Sequence, residues 1–111
     1  MTPESPDVPP VFVLQVGGRR VVLGPRISTI GRDLDRDVIL KDPSVSRLHA
    51  RIIVENGRAT IEDLKSRNGT SVQNEPLTAP RILVDGDEIE LGTVKVWFIV
   101  ERPDDPTTLD L

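Results

Sequence analysis

Short runs of alternating apolar and polar residues, each closed by a turn dipeptide, constrain this chain more than any other feature. Val11-Phe12-Val13-Leu14-Gln15-Val16 stops at Gly17-Gly18 and resumes as Arg19–Leu23. Ala50–Glu55 meets Arg58–Leu64 across Asn56-Gly57, the strongest short hairpin signal. Glu88–Leu91 and Val94–Val100 flank Gly92-Thr93, and shorter strands fit Ser28–Ile30 and Val38–Leu40. The apolar residues are mostly β-branched or leucine and alanine is scarce, which favours strands. No window of about eleven residues carries a helical apolar stripe without a Gly or Pro break. Short strands at this spacing imply an all-β fold, an antiparallel sandwich.

A chain of 111 residues supports one domain. Four of the ten prolines fall in Met1–Pro10 and two more in Arg102–Leu111. Both ends lack apolar periodicity, so residues 1–10 and 102–111 read as tails around a folded part spanning 11–101. The C-terminal tail carries an acidic-flanked threonine pair, Thr107-Thr108.

Composition removes whole classes of function. The net charge is −4 and aromatic residues make up 3%, which argues against a nucleic-acid partner. Zero cysteines and one histidine leave no thiolate or multi-histidine metal site. The apolar runs are far shorter than the ~20 residues a membrane helix needs. The start lacks the basic and apolar stretches of a secretory signal. The expectation is a cytoplasmic protein with no membrane, cofactor or metal dependence.

Three polar segments interrupt the strands: Gly31-Arg32 leading into Asp33–Asp37, Lys41–Ala50, and Lys65–Thr70. They hold Arg32, Arg47, Arg67, several hydroxyls, Asn68 and the only histidine, His49. Gathered at one end of a sandwich, they form a cationic, hydroxyl-rich pocket on an acidic protein. A phosphomonoester, with about −1.5 to −2 charges and three strong acceptor oxygens, suits that donor set better than a carboxylate. Arginine supplies a planar fork of donors, and hydroxyls and amides add directed neutral ones.

Gly31-Arg32, Ser46-Arg47-Leu48-His49 and Ser66-Arg67-Asn68-Gly69-Thr70 closely resemble the signature of forkhead-associated (FHA) domains. The spacing agrees, with fifteen residues from Gly31 to Ser46 and seventeen from His49 to Ser66, then a Gly86-Asp87 step before the last hairpin. The resemblance spans roughly Val11 to Glu101. It implies a sandwich of about eleven strands, FHA/SMAD-like, that binds phosphothreonine peptides across loops at one end. Arg32 is then expected to pair with the phosphate and Ser46 to donate its hydroxyl to it. Arg47 and Arg67 occupy variable positions that add phosphate or backbone contacts, and Asn68 holds the peptide main chain. Gly31, His49, Ser66, Gly69 and Thr70 brace the loops. The implied partner is a phosphothreonine-containing protein, a Ser/Thr kinase or its substrate, and the implied chain is a monomer. Phosphorylation of Thr107 or Thr108 offers a route to head-to-tail self-association.

Other readings of these residues are weaker. Ser46, His49 and Asp63 suggest a hydrolase triad, but no Gly-x-Ser-x-Gly elbow is present. Ser46 and His49 are moreover expected on opposite sides of an extended strand. Asp33, Asp35, Asp37 and Asp42 lack the glycine and closing acid of a calcium loop. Asn68-Gly69 reads as a turn as well as a site, with left-handed geometry aiming the asparagine. The chain is therefore expected to be a recognition module and not an enzyme. An assembly module working through a sheet face is the runner-up.

Overall fold

The structure, a computed structural model, describes residues 9–102. It contains eleven strands and, among the described residues, no helix. They are β1 (Val11–Val16), β2 (Arg19–Val22), β3 (Arg26–Gly31), β4 (Val38–Ile39), β5 (Ala50–Glu55), β6 (Arg58–Asp63), β7 (Thr70–Val72), β8 (Glu75–Pro76), β9 (Arg81–Ile82), β10 (Glu88–Leu91) and β11 (Val94–Glu101). One sheet runs β2-β1-β11-β10-β7-β8 and the other β4-β3-β5-β6-β9. Every pairing is antiparallel except β3 with β4.

Alternation builds the core. Ile89 and Leu91 on β10, Ile52 on β5, Ala59 and Ile61 on β6 and Val96 and Phe98 on β11 face inward and are buried, with polar neighbours between most of them. Phe12 and Phe98, on the paired strands β1 and β11, stack with centroids 5.5 Å apart. Val13 breaks the alternation. It lies outside the core cluster yet is fully buried, with Val22 and Ile99 as its cross-strand partners.

The Gly17-Gly18, Asn56-Gly57 and Gly92-Thr93 hairpins form as expected. Asn56 and Gly57 both take the positive φ that a primed two-residue turn requires. One expected turn does not. Asn68-Gly69 joins no hairpin, because β6 and β7 belong to different sheets, and positive φ falls on Lys65 and Gly69 rather than Asn68. The crossover between sheets needs a longer loop than a paired turn.

Strand directions sort the connections. The Ile30, Ala50 and Asp63 ends of β3, β5 and β6 lie side by side, so the three polar segments emerge at one end of the sandwich. The Asn56-Gly57 turn and the first and last strand residues, Val11 and Glu101, lie at the other. Apart from Pro9, Pro10 and Arg102, the tails, with Thr107 and Thr108, lie outside the described residues.

Candidate functional site

Gly31 ends β3 where the chain must approach the β4–β5 loop closely. Arg32 N–H donates to Ser46 O at 3.0 Å and Asp33 N–H to Arg47 O at 3.3 Å. A Cβ on Gly31 would overlap the Arg47 carbonyl, so only glycine fits. The contact fixes Arg32 at the loop mouth. Its Nε donates to Val45 O at 2.9 Å, which leaves the two terminal nitrogens of the fork for a ligand.

His49 is fully buried and holds two loops together. Its Nδ1 accepts the Ser46 amide at 3.0 Å and its Nε2 faces Gly69 O at 2.9 Å. A backbone N–H on one nitrogen and a carbonyl on the other select the neutral tautomer protonated at Nε2. The triad fails on this geometry. His49 bonds the amide of Ser46, not its hydroxyl, and the Asp63 carboxylate bonds Ser66 and Thr70. Strand alternation is not the reason, however: Ser46 and His49 sit in an irregular turn before β5.

Sequence reasoning treated Asp63 only as a triad candidate, whereas the fold makes it the hub of the β6–β7 loop. It accepts the Ser66 and Thr70 hydroxyls, each at 2.6 Å, and the Ser66 amide at 3.1 Å. Ser66 Oγ in turn accepts the Gly69 amide at 2.9 Å, where Gly69 adopts a φ of +85°. Burial pushes the Asp63 carboxyl up, but these hydroxyl and amide donors outweigh it and hold the group below the usual aspartate value of 3.8. The missed signal was an acid at a strand end with hydroxyls three and seven residues on.

Ser44 is the second residue missed. Its hydroxyl donates to Asp42 at 2.7 Å and accepts the Thr93 amide at 2.9 Å, tying the β4–β5 loop to the β10–β11 turn. Its carbonyl accepts Asn68 Nδ2 at 2.8 Å. Hydrogen bonds from the Ser44 hydroxyl and amide hold the Asp42 carboxyl low. The Asp42-x-Ser44 spacing, where an aspartate caps the amide two residues on, was the available signal.

The result is an open cavity of about 420 Å³ lined by Arg32, Pro43, Ser44, Val45, Ser46, Arg47, Leu48 and Arg67. Ser46 Oγ accepts the Arg67 amide at 3.0 Å, so its own proton is free to be donated into the cavity. Among the described residues none of the three guanidinium groups forms an ion pair, while Arg20, Arg36, Arg51 and Arg81 each reach a carboxylate. The cavity thus brings Arg32, Ser46, Arg47 and Arg67 together. Asn68 stands beside them, its amide nitrogen bracing Ser44 and its carbonyl left for an external donor. The four expected loop aspartates are otherwise engaged: Asp37 with Thr29, Asp42 with Ser44, and Asp33 and Asp35 with Arg36.

A two-sheet sandwich whose crossover loops gather cations and hydroxyls at one end defines a small class of domains. The chain belongs to the FHA domain family, whose sequence pattern it matches over residues 28–92. It is 38% identical over 82 residues to the glycogen accumulation regulator GarA of Mycobacterium tuberculosis, covering 74% of this chain and 50% of GarA. It is 37% identical over 82 residues to the oxoglutarate dehydrogenase inhibitor of Corynebacterium glutamicum, covering 74% of this chain and 57% of that protein. The chain therefore spans about half the length of the curated relatives it matches. A solved FHA domain, described with phosphothreonine-dependent FHA domain interactions, superposes with a TM-score of 0.77 at 36% identity, covering 80% of this chain and 95% of that one. Among the described residues no helix is long and apolar enough to cross a membrane.

Proposed function

We propose that this domain is a non-enzymatic module that binds phosphothreonine segments of partner proteins in Ser/Thr-kinase signalling. One observation carries the reading: three guanidinium groups without carboxylate partners among the described residues and a free hydroxyl proton line one cavity of an acidic protein. Arg32 pairs with the phosphate, Ser46 donates to a phosphate oxygen, and Arg47 and Arg67 neutralise remaining charge or hold the peptide backbone. Asn68 accepts a peptide N–H through its side-chain carbonyl. Gly31, His49, Ser66, Gly69 and Thr70 position the loops. Membership of the FHA family and the phosphothreonine-dependent interactions of a solved relative support the assignment. The partner is a phosphorylated kinase or kinase substrate, met in the cytoplasm.

A degenerate phosphothreonine peptide library, with and without phosphatase treatment, tests the proposal. Binding is expected only before treatment; equal binding afterwards overturns it. Matched peptides sharpen it. Phosphothreonine is expected to exceed phosphoserine by about 10–200-fold, the range one methyl contact supplies. An aspartate mimic, with one charge and two oxygens, is expected to fail.

A further inference from the structure

The outer face of the larger sheet is more apolar than a solvated face requires. The strand registers set two neighbouring rows across it, Arg20–Gln15–Trp97–Glu88 and Val22–Val13–Ile99. Trp97, the single tryptophan, is 40% exposed and Val22 54%. Val13 is fully buried although it faces away from the second sheet: Arg20 and Glu101 form an ion pair across β1, on the diagonal that passes Val13. An exposed apolar cluster built around a tryptophan and rimmed by charge marks an interaction surface.

The charges select the occupant. Across the face the sign changes from Arg20 on β2 to Glu88 and Glu90 on β10, with the apolar strip between them on β1 and β11. Lys95 reaches Glu88 at 3.3 Å, and Glu90 meets no cation among the described residues. A second copy packed face to face about a two-fold axis along the strands lays β2 over the other copy's β10, and β1 over its β11. Arg20 then meets Glu88 of the second copy, Val13 meets Ile99, and Gln15 meets Trp97. The Gln15 amide donates to Gly17 O at 2.9 Å, which leaves its carbonyl for the indole N–H. A two-fold axis across the strands would instead stack β2 on β2 and β10 on β10, setting like charges together. We infer that this face binds a second copy of the chain, in an isologous dimer with Trp97 near its centre. Four strands about 4.8 Å apart and about 20 Å long give a footprint of about 400 Å² per copy, at the low end of interfaces, so the dimer is weak. The monomer expected from the sequence is then the dilute form. Because the axis follows the strands, both recognition ends face the same way, and on the reading proposed above the pair suits a partner carrying two phosphothreonines.

Sedimentation equilibrium of the phosphatase-treated full chain, from about 10 µM to about 1 mM, tests the inference. The average mass of the wild type is expected to rise towards that of a dimer, while Trp97→Glu stays monomeric with an unchanged sheet spectrum. Arg20→Glu and Glu88→Arg are each expected to associate less than wild type alone and to associate when mixed, because the mixed pair restores both cross-copy contacts. A wild type that stays monomeric throughout overturns the inference. So does a Trp97→Glu variant that associates as the wild type does, or a mixture no tighter than its separate components, which would assign the association to another surface.

Discussion

The two ends of this sandwich are closed by connections of different kinds. At the far end, Asn56-Gly57 is a two-residue turn, and the Leu83–Asp87 connection is held by Val84 N–H on the Asp87 carboxylate at 2.9 Å and by Gly86 N–H on Phe98 O of β11 at 2.7 Å, with no bond to another loop among these. At the recognition end, the β3–β4, β4–β5 and β6–β7 connections depend on one another: Asn68 bonds Ser44, Arg67 bonds Ser46, and His49 bonds both Ser46 and Gly69. The difference shows how long loops are held rigid without an apolar core of their own. The buried ring of His49 and the half-buried side chains of Asp63 and Ser44 take the place of packing and leave the arginines facing outward. A pocket fixed in this way meets an anion without first having to be ordered, which favours affinity.

The sharpest contrast between the ends is expected from Arg32→Ala. Removing one partner of a hydrogen-bonded charge pair costs about 2–5 kcal/mol of binding. Calorimetry with a phosphothreonine peptide should therefore show a loss of at least an order of magnitude with the fold retained, the melting temperature falling by no more than the lost Arg32–Val45 hydrogen bond accounts for. A variant within threefold of wild type would place the pocket elsewhere.

Gly31→Ala should damage binding and folding together. The added methyl must displace the Arg47 carbonyl, an overpacking cost of about 1–3 kcal/mol, and it moves the loop that positions Arg32 and Ser46. Denaturant unfolding and peptide titration on the same sample separate the two losses. Stability lost with affinity intact would uncouple the loop approach from the site.

Asp63→Asn probes the hub. Loss of charged acceptance from two hydroxyls and an amide is expected to destabilise by about 1–3 kcal/mol at neutral pH. Because the folded carboxyl titrates below 3.8, its contribution is complete above that value and fades as pH falls through the folded-state value. The melting-temperature gap between wild type and variant should thus be full at pH 7, nearly full at pH 5, and shrink below about pH 3.8. A gap that closes at pH 6 would assign the acid sensitivity to another group.

The smallest effect is expected at the far end. Gly86 has a φ of +90°, so Gly86→Ala strains the backbone by about 1 kcal/mol. Thermal unfolding should register that strain, while phosphopeptide affinity stays within twofold.

Sequence patterning exposed the strands that alternate over four or more residues and the three turns with glycine in a paired position. It did not expose β7, β8 and β9, and physical reasons are visible for each. β7 spans only Thr70–Val72; β8 is two exposed residues, one of them proline, and is joined to β7 by Gln73-Asn74, which adopt positive φ without a glycine. β9 is two residues after Pro80. Which sheet a strand joins was also hidden, since period-2 alternation is the same in either layer. At the candidate site, the residue types that line the cavity were legible as an excess of Arg and Ser in loops. The tie from Ser44 to the β10–β11 turn was not, because Ser44 and Thr93 lie 49 residues apart, and the Asp63 hub left only a local pattern, an acid with hydroxyls three and seven residues on, that an irregular loop does not single out.

Amide shift mapping of a phosphothreonine peptide titrated into the full chain tests the central claim most directly. The expected result is saturable movement of Arg32, Ser46, Arg47, Arg67 and Asn68, reversed by phosphatase, with Gly57 and Gly86 stationary. Movement centred on Gly57, Arg58 and Val84, or movement that persists with the dephosphorylated peptide, would contradict it.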